Sequence, residues 1–178
     1  VLDAMPVHRF LKTPDGIFES MIGLDSNQQL VEHFEPCVNT ELTQHVQNIL
    51  THDVTPYASE ANLIMTHWIK SCFSLLTRGA VILIDYGFPQ HEYYHPDRSK
   101  GTLMCHYQHT THPNPLHHPG EEDITAHVDF THVADSALQA GFDVTGYTNQ
   151  ASFLLANGLL SLLEEETQHH EHNIKAQF

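Results

Sequence analysis

The run Ala80-Val81-Ile82-Leu83-Ile84-Asp85-Tyr86-Gly87 decides the fold class. Five apolar residues in succession, three of them β-branched, leave no polar face, so a strand built from them must be covered on both sides. That is the pattern of a central parallel strand. Ligands of open α/β sheets bind beyond the carboxyl ends of their strands, which directs attention to Asp85, Tyr86 and Gly87.

Upstream of this run the periodicity is helical. A helix is expected from about Ser59 to Thr77, with Ser59 as N-cap and an apolar stripe of Ala61, Ile64, Met65, Trp68, Cys72, Leu75 and Leu76. Arg78 suits the helix C-terminus and Gly79 the left-handed cap. Glu41–Leu50 is a second, shorter helix. Before it, Val7–Lys12, Ile17–Leu24 and Leu30–Phe34 are short strands punctuated by Thr13-Pro14-Asp15-Gly16 and Asp25-Ser26-Asn27, an antiparallel meander.

Downstream, residues 88–124 are rich in Pro, His and Gly and predict a long loop, of a length that is usually functional or disordered. Asp129–Ala140 predicts a helix closed by Gly141, Phe142–Tyr147 a strand, and Gln150–Glu166 an amphipathic helix. The expected organisation is a single domain or fragment: a β-meander over 1–36, an α/β part over 37–166 and a polar tail over 167–178.

At 178 residues and 20.2 kDa the chain suits one domain. Seven Lys and Arg against 22 Asp and Glu give a formal charge of −15, which excludes a basic face for nucleic acid. The 17 histidines predict pH-dependent solubility with a minimum near the pI of 5.4. Cys37, Cys72 and Cys105 form no C-x-x-C, which argues against a disulfide framework and against a thiolate zinc site, and fits a reducing compartment. No apolar run reaches the roughly 18 residues of a membrane span, and no secretory signal is visible. Opening on Val1, the chain is expected to be a cut or processed piece.

One motif carries metal chemistry on paper. His91-Glu92-Tyr93-Tyr94-His95 matches H-E-x-x-H, but that signature needs both histidines on one helical face. Pro89 and Pro96 leave no room for such a helix, so the match is read as coincidence. His106, His109, His112, His117 and His118 are the candidates for any further ligand. The His169-His170-Glu171-His172 cluster is read as a solvated tail. Nucleophile-elbow, P-loop and dinucleotide glycine motifs do not occur.

Several segments together resemble one family. They are Leu2-Asp3-Ala4-Met5-Pro6-Val7, Ser59-Glu60-Ala61-Asn62, Ile84-Asp85-Tyr86-Gly87, Gly101-Thr102-Leu103 with His109, and Pro119-Gly120 through Asp123-Ile124-Thr125-Ala126-His127-Val128-Asp129-Phe130. In this order they are similar to the MidA-like class I methyltransferases, whose mitochondrial members act in complex I assembly. The resemblance runs from Val1 to about Leu160. It implies a Rossmann-like fold with the antiparallel meander inserted, S-adenosylmethionine as cofactor, and in some members an arginine of a partner protein as acceptor. It implies the C-terminal portion of such an enzyme, because the family's glycine-rich cofactor loop and acidic ribose contact lie upstream of the stretch matching Leu2–Val7. A bacterial cytoplasm or a mitochondrial matrix follows as the expected location.

The matching segments supply the candidate site. Asp3, Asp85 and His127 are the catalytic candidates, and Pro6, Glu60, Tyr86, Gly87, Asp123 and Asp129 the residues of a substrate or cofactor cleft; no metal ligand is assigned. An arginine acceptor needs carboxylates to hold its guanidinium and accept a proton. Each residue also has a plainer reading: Asp3 and Asp85 as turn residues, His127 as a loop-ordering group, Asp129 as an N-cap, Glu60 as a first-turn helix acid. Two further functions stay open, a partner-binding module without chemistry and a His-rich metal binder. An exposed sheet edge would favour a homodimer.

Overall fold

The computed structural model of the chain describes residues 1–164 and divides it into two compact units, Val1–Asp143 and Val144–Phe178. The first unit opens with the expected meander: β1 (His8–Thr13), β2 (Gly16–Leu24) and β3 (Leu30–Pro36), each antiparallel to the last. Helix α1 (Thr40–Ile49) follows, with the Asn39 carboxamide accepting from the amides of Glu41 and Leu42. Such a cap is worth about 1 kcal/mol. Leu42, Val46 and Ile49 fall on one face of α1 and are buried.

The next element departs from expectation. Residues 57–61 form strand β4 (Tyr57–Ala61), antiparallel to β1, so the sheet order is β3-β2-β1-β4. Ser59 and Glu60 are therefore strand residues, neither N-cap nor first-turn acid. Helix α2 (Met65–Leu75) begins later, after the Asn62 side chain has accepted from the Met65 amide. Its buried face is Met65 and Ile69, whereas Ile64 and Leu75 of the expected stripe are exposed. Tyr57-Ala58-Ser59-Glu60-Ala61 has no β-branched residue; pairing with β1 over His8–Lys12 makes it a strand.

The run that set the fold class is not a strand over residues 80–86. Only β5 (Gly87–Phe88) is, and its two residues pair in parallel with Val128 and Asp129. A strand is defined by its neighbours' amides, and among the described residues none lies beside Val81, Ile82 or Ile84, which are 40%, 72% and 74% exposed. The expected loop is structured: helix α3 (Gln90–Tyr93), a 3-10 turn (Pro96–Arg98), and a small antiparallel sheet of β6 (Met104–Tyr107), β7 (Thr110–His112) and β8 (Asp123–Thr125) in the order β7-β6-β8.

Strand β9 (Val128–Asp129) leads into α4 (Phe130–Ala140). The Asp129 carboxylate caps α4 at the amides of Thr131 and His132, and Gly141 closes it at φ 106°. Two apolar clusters hold this unit together. Phe10, Leu42, Val46, Tyr57, Tyr93 and Tyr94 belong to one; Leu2, Met65, Ile69, Val128 and Val133 form the other. In the second unit α5 (Gln150–Ala156) is capped by Asn149, residues 144–147 form no strand, and helix resumes at 159–164 beyond Gly158. The His169–His172 cluster lies outside the described residues. Among the described residues no helix is long and apolar enough to cross a membrane.

Candidate functional site

Parallel pairing of β5 with β9 brings the residues before Gly87 beside those before Val128. Gly87 is required there: a Cβ would lie 2.0 Å from the Val128 carbonyl oxygen and 2.6 Å from its nitrogen. The Val128 amide donates to the Tyr86 carbonyl at 3.0 Å, and the Ala126 amide donates to the Asp3 carbonyl at 2.8 Å. Three separate sequence segments thus meet, carrying Asp3, Asp85-Tyr86 and His127.

The two aspartates differ in what they do. Both Asp85 oxygens are engaged, Oδ2 by the Leu2 amide at 2.9 Å and Oδ1 by the Tyr86 amide at 3.0 Å, so Asp85 fixes the Leu2–Asp3 backbone against its own turn. Asp3 Oδ2 accepts from the Tyr86 hydroxyl at 2.5 Å. Burial and then the bond to Asp3 push the Tyr86 phenol up, which keeps it protonated as a donor.

His127 stands edge-on between Tyr86 and Phe88, with ring centroids 5.4 and 5.1 Å away. Burial, helped by the nearby Arg98, lowers its pKa, and its buried Nδ1 makes no hydrogen bond. It lines a small cavity of about 20 Å³ together with Glu60, Asn62, Asp129 and His132.

Glu60 is 1% exposed at the back of this cavity. Its Oε2 accepts from the amide and hydroxyl of Thr102 at 2.9 and 3.3 Å, and Oε1 from the Leu103 amide at 3.3 Å. Desolvation raises its pKa against the pull of those amides. Thr102 Oγ1 in turn accepts from the His127 amide at 3.0 Å. Thr102, part of the matching Gly101-Thr102-Leu103 segment but not among the site candidates, is therefore the hub that ties Glu60 to His127. Gly101, at φ +76°, leaves room for the Glu60 carboxylate.

Other candidates fall elsewhere. Asp129 is the α4 cap described above, with Gln90 Nε2 3.4 Å from its second oxygen. Asp123 is exposed on β8 opposite His106. Pro6 lies on a separate pocket of about 230 Å³ with His8, Asn39, Glu41, Leu63, Ile64 and His67. Helix α3 stops at Tyr93, and Tyr93 and Tyr94 turn into the core at 3% and 5% exposure. Among the described residues His91 and His95 belong to no set of donors close enough to share a metal.

A family model described as "Putative S-adenosyl-L-methionine-dependent methyltransferase" matches residues 1–148. The protein arginine methyltransferase NDUFAF7, mitochondrial, is 31% identical in Bos taurus over 174 residues (93% of this chain, 36% of that one) and 30% in Rattus norvegicus over 159 residues (88% and 34%). The chain spans about a third of these relatives. A crystal structure from Burkholderia thailandensis bound to S-adenosyl-homocysteine superposes with a TM-score of 0.86 at 40% identity, covering 95% of this chain and 44% of that one.

Proposed function

Since the chain belongs to the MidA-like family of S-adenosyl-L-methionine-dependent methyltransferases, we propose that it forms the methyl-acceptor side of a Rossmann-like transferase acting on an arginine of a partner protein. On this reading β5 and β9 belong to the parallel sheet, and β1–β3 are an inserted meander. The observation that carries it is the meeting of three separate segments that sets the Asp3 carboxylate against the Tyr86 hydroxyl, beside the Asp85 turn and the His127 ring. A carboxylate suits a guanidinium, which offers several N–H donors in a fixed plane.

The described residues fit the reacting end of the cofactor site more than its nucleoside. The two cavities described above, about 20 and 230 Å³, fall below the roughly 300–1,000 Å³ of a small-molecule pocket. S-adenosylmethionine, when bound, supplies an activated methyl group, so the chain's own task is alignment, exclusion of water and removal of one proton. Asp3 holds the guanidinium and takes the proton displaced from the nitrogen that gains the methyl. Tyr86 orients Asp3 through its hydroxyl, Asp85 fixes the backbone that carries it, and His127 with Phe88 forms the aromatic wall behind Tyr86. The mitochondrial relatives support a matrix location in a eukaryote; a bacterial chain would act in the cytoplasm.

The test uses the protein that carries these residues. Asp3→Asn should lower kcat by about 100-fold or more, the scale of a lost general base, while S-adenosyl-homocysteine binds within twofold of wild type. Unchanged turnover in Asp3→Asn would overturn the assignment.

A further inference from the structure

The β6-β7-β8 sheet carries a second cluster of reactive side chains, away from Asp3 and Asp85. The β6–β7 hairpin turns through Gln108 and His109, both at positive φ (45° and 66°), the geometry of a two-residue turn that fixes register tightly. That register sets Cys105 directly opposite His112, so both side chains project from the same face of the ribbon. Glu122, just before β8, completes the group: one donor atom each from Cys105, His112 and Glu122 lie within 4.8 Å of one another.

Within this group buried polar atoms face one another without well-formed hydrogen bonds. The Glu122 side chain is 1% exposed, and neither of its oxygens meets hydrogen-bond geometry, though the carboxylate lies against the Cys105 thiol and the His112 ring. Both ring nitrogens of His112 are buried, with Nε2 an ion-pair contact of 3.3 Å from Glu122 Oε1 but outside hydrogen-bond geometry. Cys105 is fully buried. Leaving a carboxylate in such surroundings costs several kcal/mol unless a cation compensates it. His117 packs edge-on to His112 at 5.1 Å, and with His118 it brings donor nitrogens within the same 4.8 Å of Glu122.

We propose that Cys105, His112 and Glu122 bind one divalent zinc-type ion that fastens β6, β7 and the start of β8 together. One thiolate, one imidazole and one carboxylate match the donor preferences of zinc. Tetrahedral bonds of about 2.0–2.3 Å place ligand atoms roughly 3.3–3.8 Å apart, so these three donors, already within 4.8 Å of one another, need to close by about 1.5 Å at most. On binding, the thiol proton passes to solvent, and the fourth tetrahedral position is left to water. Strand β8 runs straight into Ala126–Asp129, so the ion would brace the segment that carries His127. This inference does not rest on methyl transfer, and it reverses the expectation that no metal ligand is present.

Cobalt(II) is the probe, added to the metal-free full chain. One ion per chain should bind with a thiolate-to-cobalt charge-transfer band, and Zn²⁺ should displace it. The band should disappear in Cys105→Ser, persist in Cys37→Ser and Cys72→Ser, and persist when His169, His170 and His172 are replaced by Ala. Glu122→Gln should weaken binding at least tenfold and, since it keeps size and shape, serves where Cys105→Ser fails to fold. Substoichiometric uptake, no thiolate band in the wild-type chain, undiminished binding in Glu122→Gln, or loss of binding with the tail histidines would each overturn the proposal.

Discussion

Replacing Gly101 by Ala tests whether the buried Glu60 carboxylate anchors the site. At φ +76° an L-residue pays about 1 kcal/mol for the left-handed conformation. The new Cβ would also fall 2.2 Å from Glu60 Oε1 and 2.8 Å from both Cδ and Oε2. A flexible carboxylate would swing aside, but this one is 1% exposed and held by Thr102 and Leu103. Displacing it forfeits two amide bonds to a charged acceptor at about 1.5 kcal/mol each, giving a total near 4 kcal/mol. Gly120 is the internal control: its φ is +85° and nothing lies within 4 Å of its added Cβ, so Gly120→Ala should cost only about 1 kcal/mol. Denaturant unfolding of the two variants at equal m-value should separate them by about 3 kcal/mol. Equal costs within about 0.5 kcal/mol, the ordinary scatter of surface changes, would refute the role assigned to Glu60.

Three further outcomes are expected. Burial, with His132 5.2 Å away, pushes His45 down to about 4 from an ordinary 6.5. Between those values the unfolded chain binds the extra proton, so the His45 contribution is complete above pH 6.5 and is lost as pH falls toward 4. That amounts to about 3 kcal/mol at most, and melting curves of His45→Leu should show a flatter acid limb than wild type; identical limbs would count against it. Asp129→Ala should cost about 1 kcal/mol by removing the α4 cap while Asp129→Asn retains most of it, read by the same unfolding assay. Gly87→Ala should lower the melting temperature sharply, because the added Cβ meets backbone atoms of Val128 that cannot rotate away; a wild-type melting temperature would mean that β5 and β9 are not packed as described.

The legible parts of this fold are those whose cause is local. Asp129 and Gly141 bracket α4 as the capping rules require, and Thr13–Gly16 joins two strands whose register follows from the turn. What was hidden depends on distant partners. Tyr57–Ala61 is a strand only through β1, although its own composition and the downstream stripe suggest helix. Ala80–Ile84 has the composition of a central strand, but composition cannot supply the neighbours that define one.

The site divides in the same way. Resemblance pointed to the segments that carry Asp3, Asp85, Tyr86 and His127, and the structure brings those segments together. The difference between the two aspartates was not readable, since only geometry shows that both Asp85 oxygens accept from backbone amides. Thr102 stood in a matching segment but was not singled out, because a threonine hydroxyl has no distinguishing spacing. Cys105 and His112 were each noted, but their partnership depends on a hairpin turning through Gln108-His109, where non-glycine residues at positive φ disguise the turn.

The most direct measurement of the central claim is the chemical identity of the methylated residue. The protein carrying these residues would be given methyl-labelled S-adenosylmethionine and a protein acceptor, and the acid hydrolysate separated into amino acids. Label in methylarginine, lost with Asp3→Asn, is the predicted result. Label in another amino acid, or methylarginine at wild-type levels in Asp3→Asn, would contradict it.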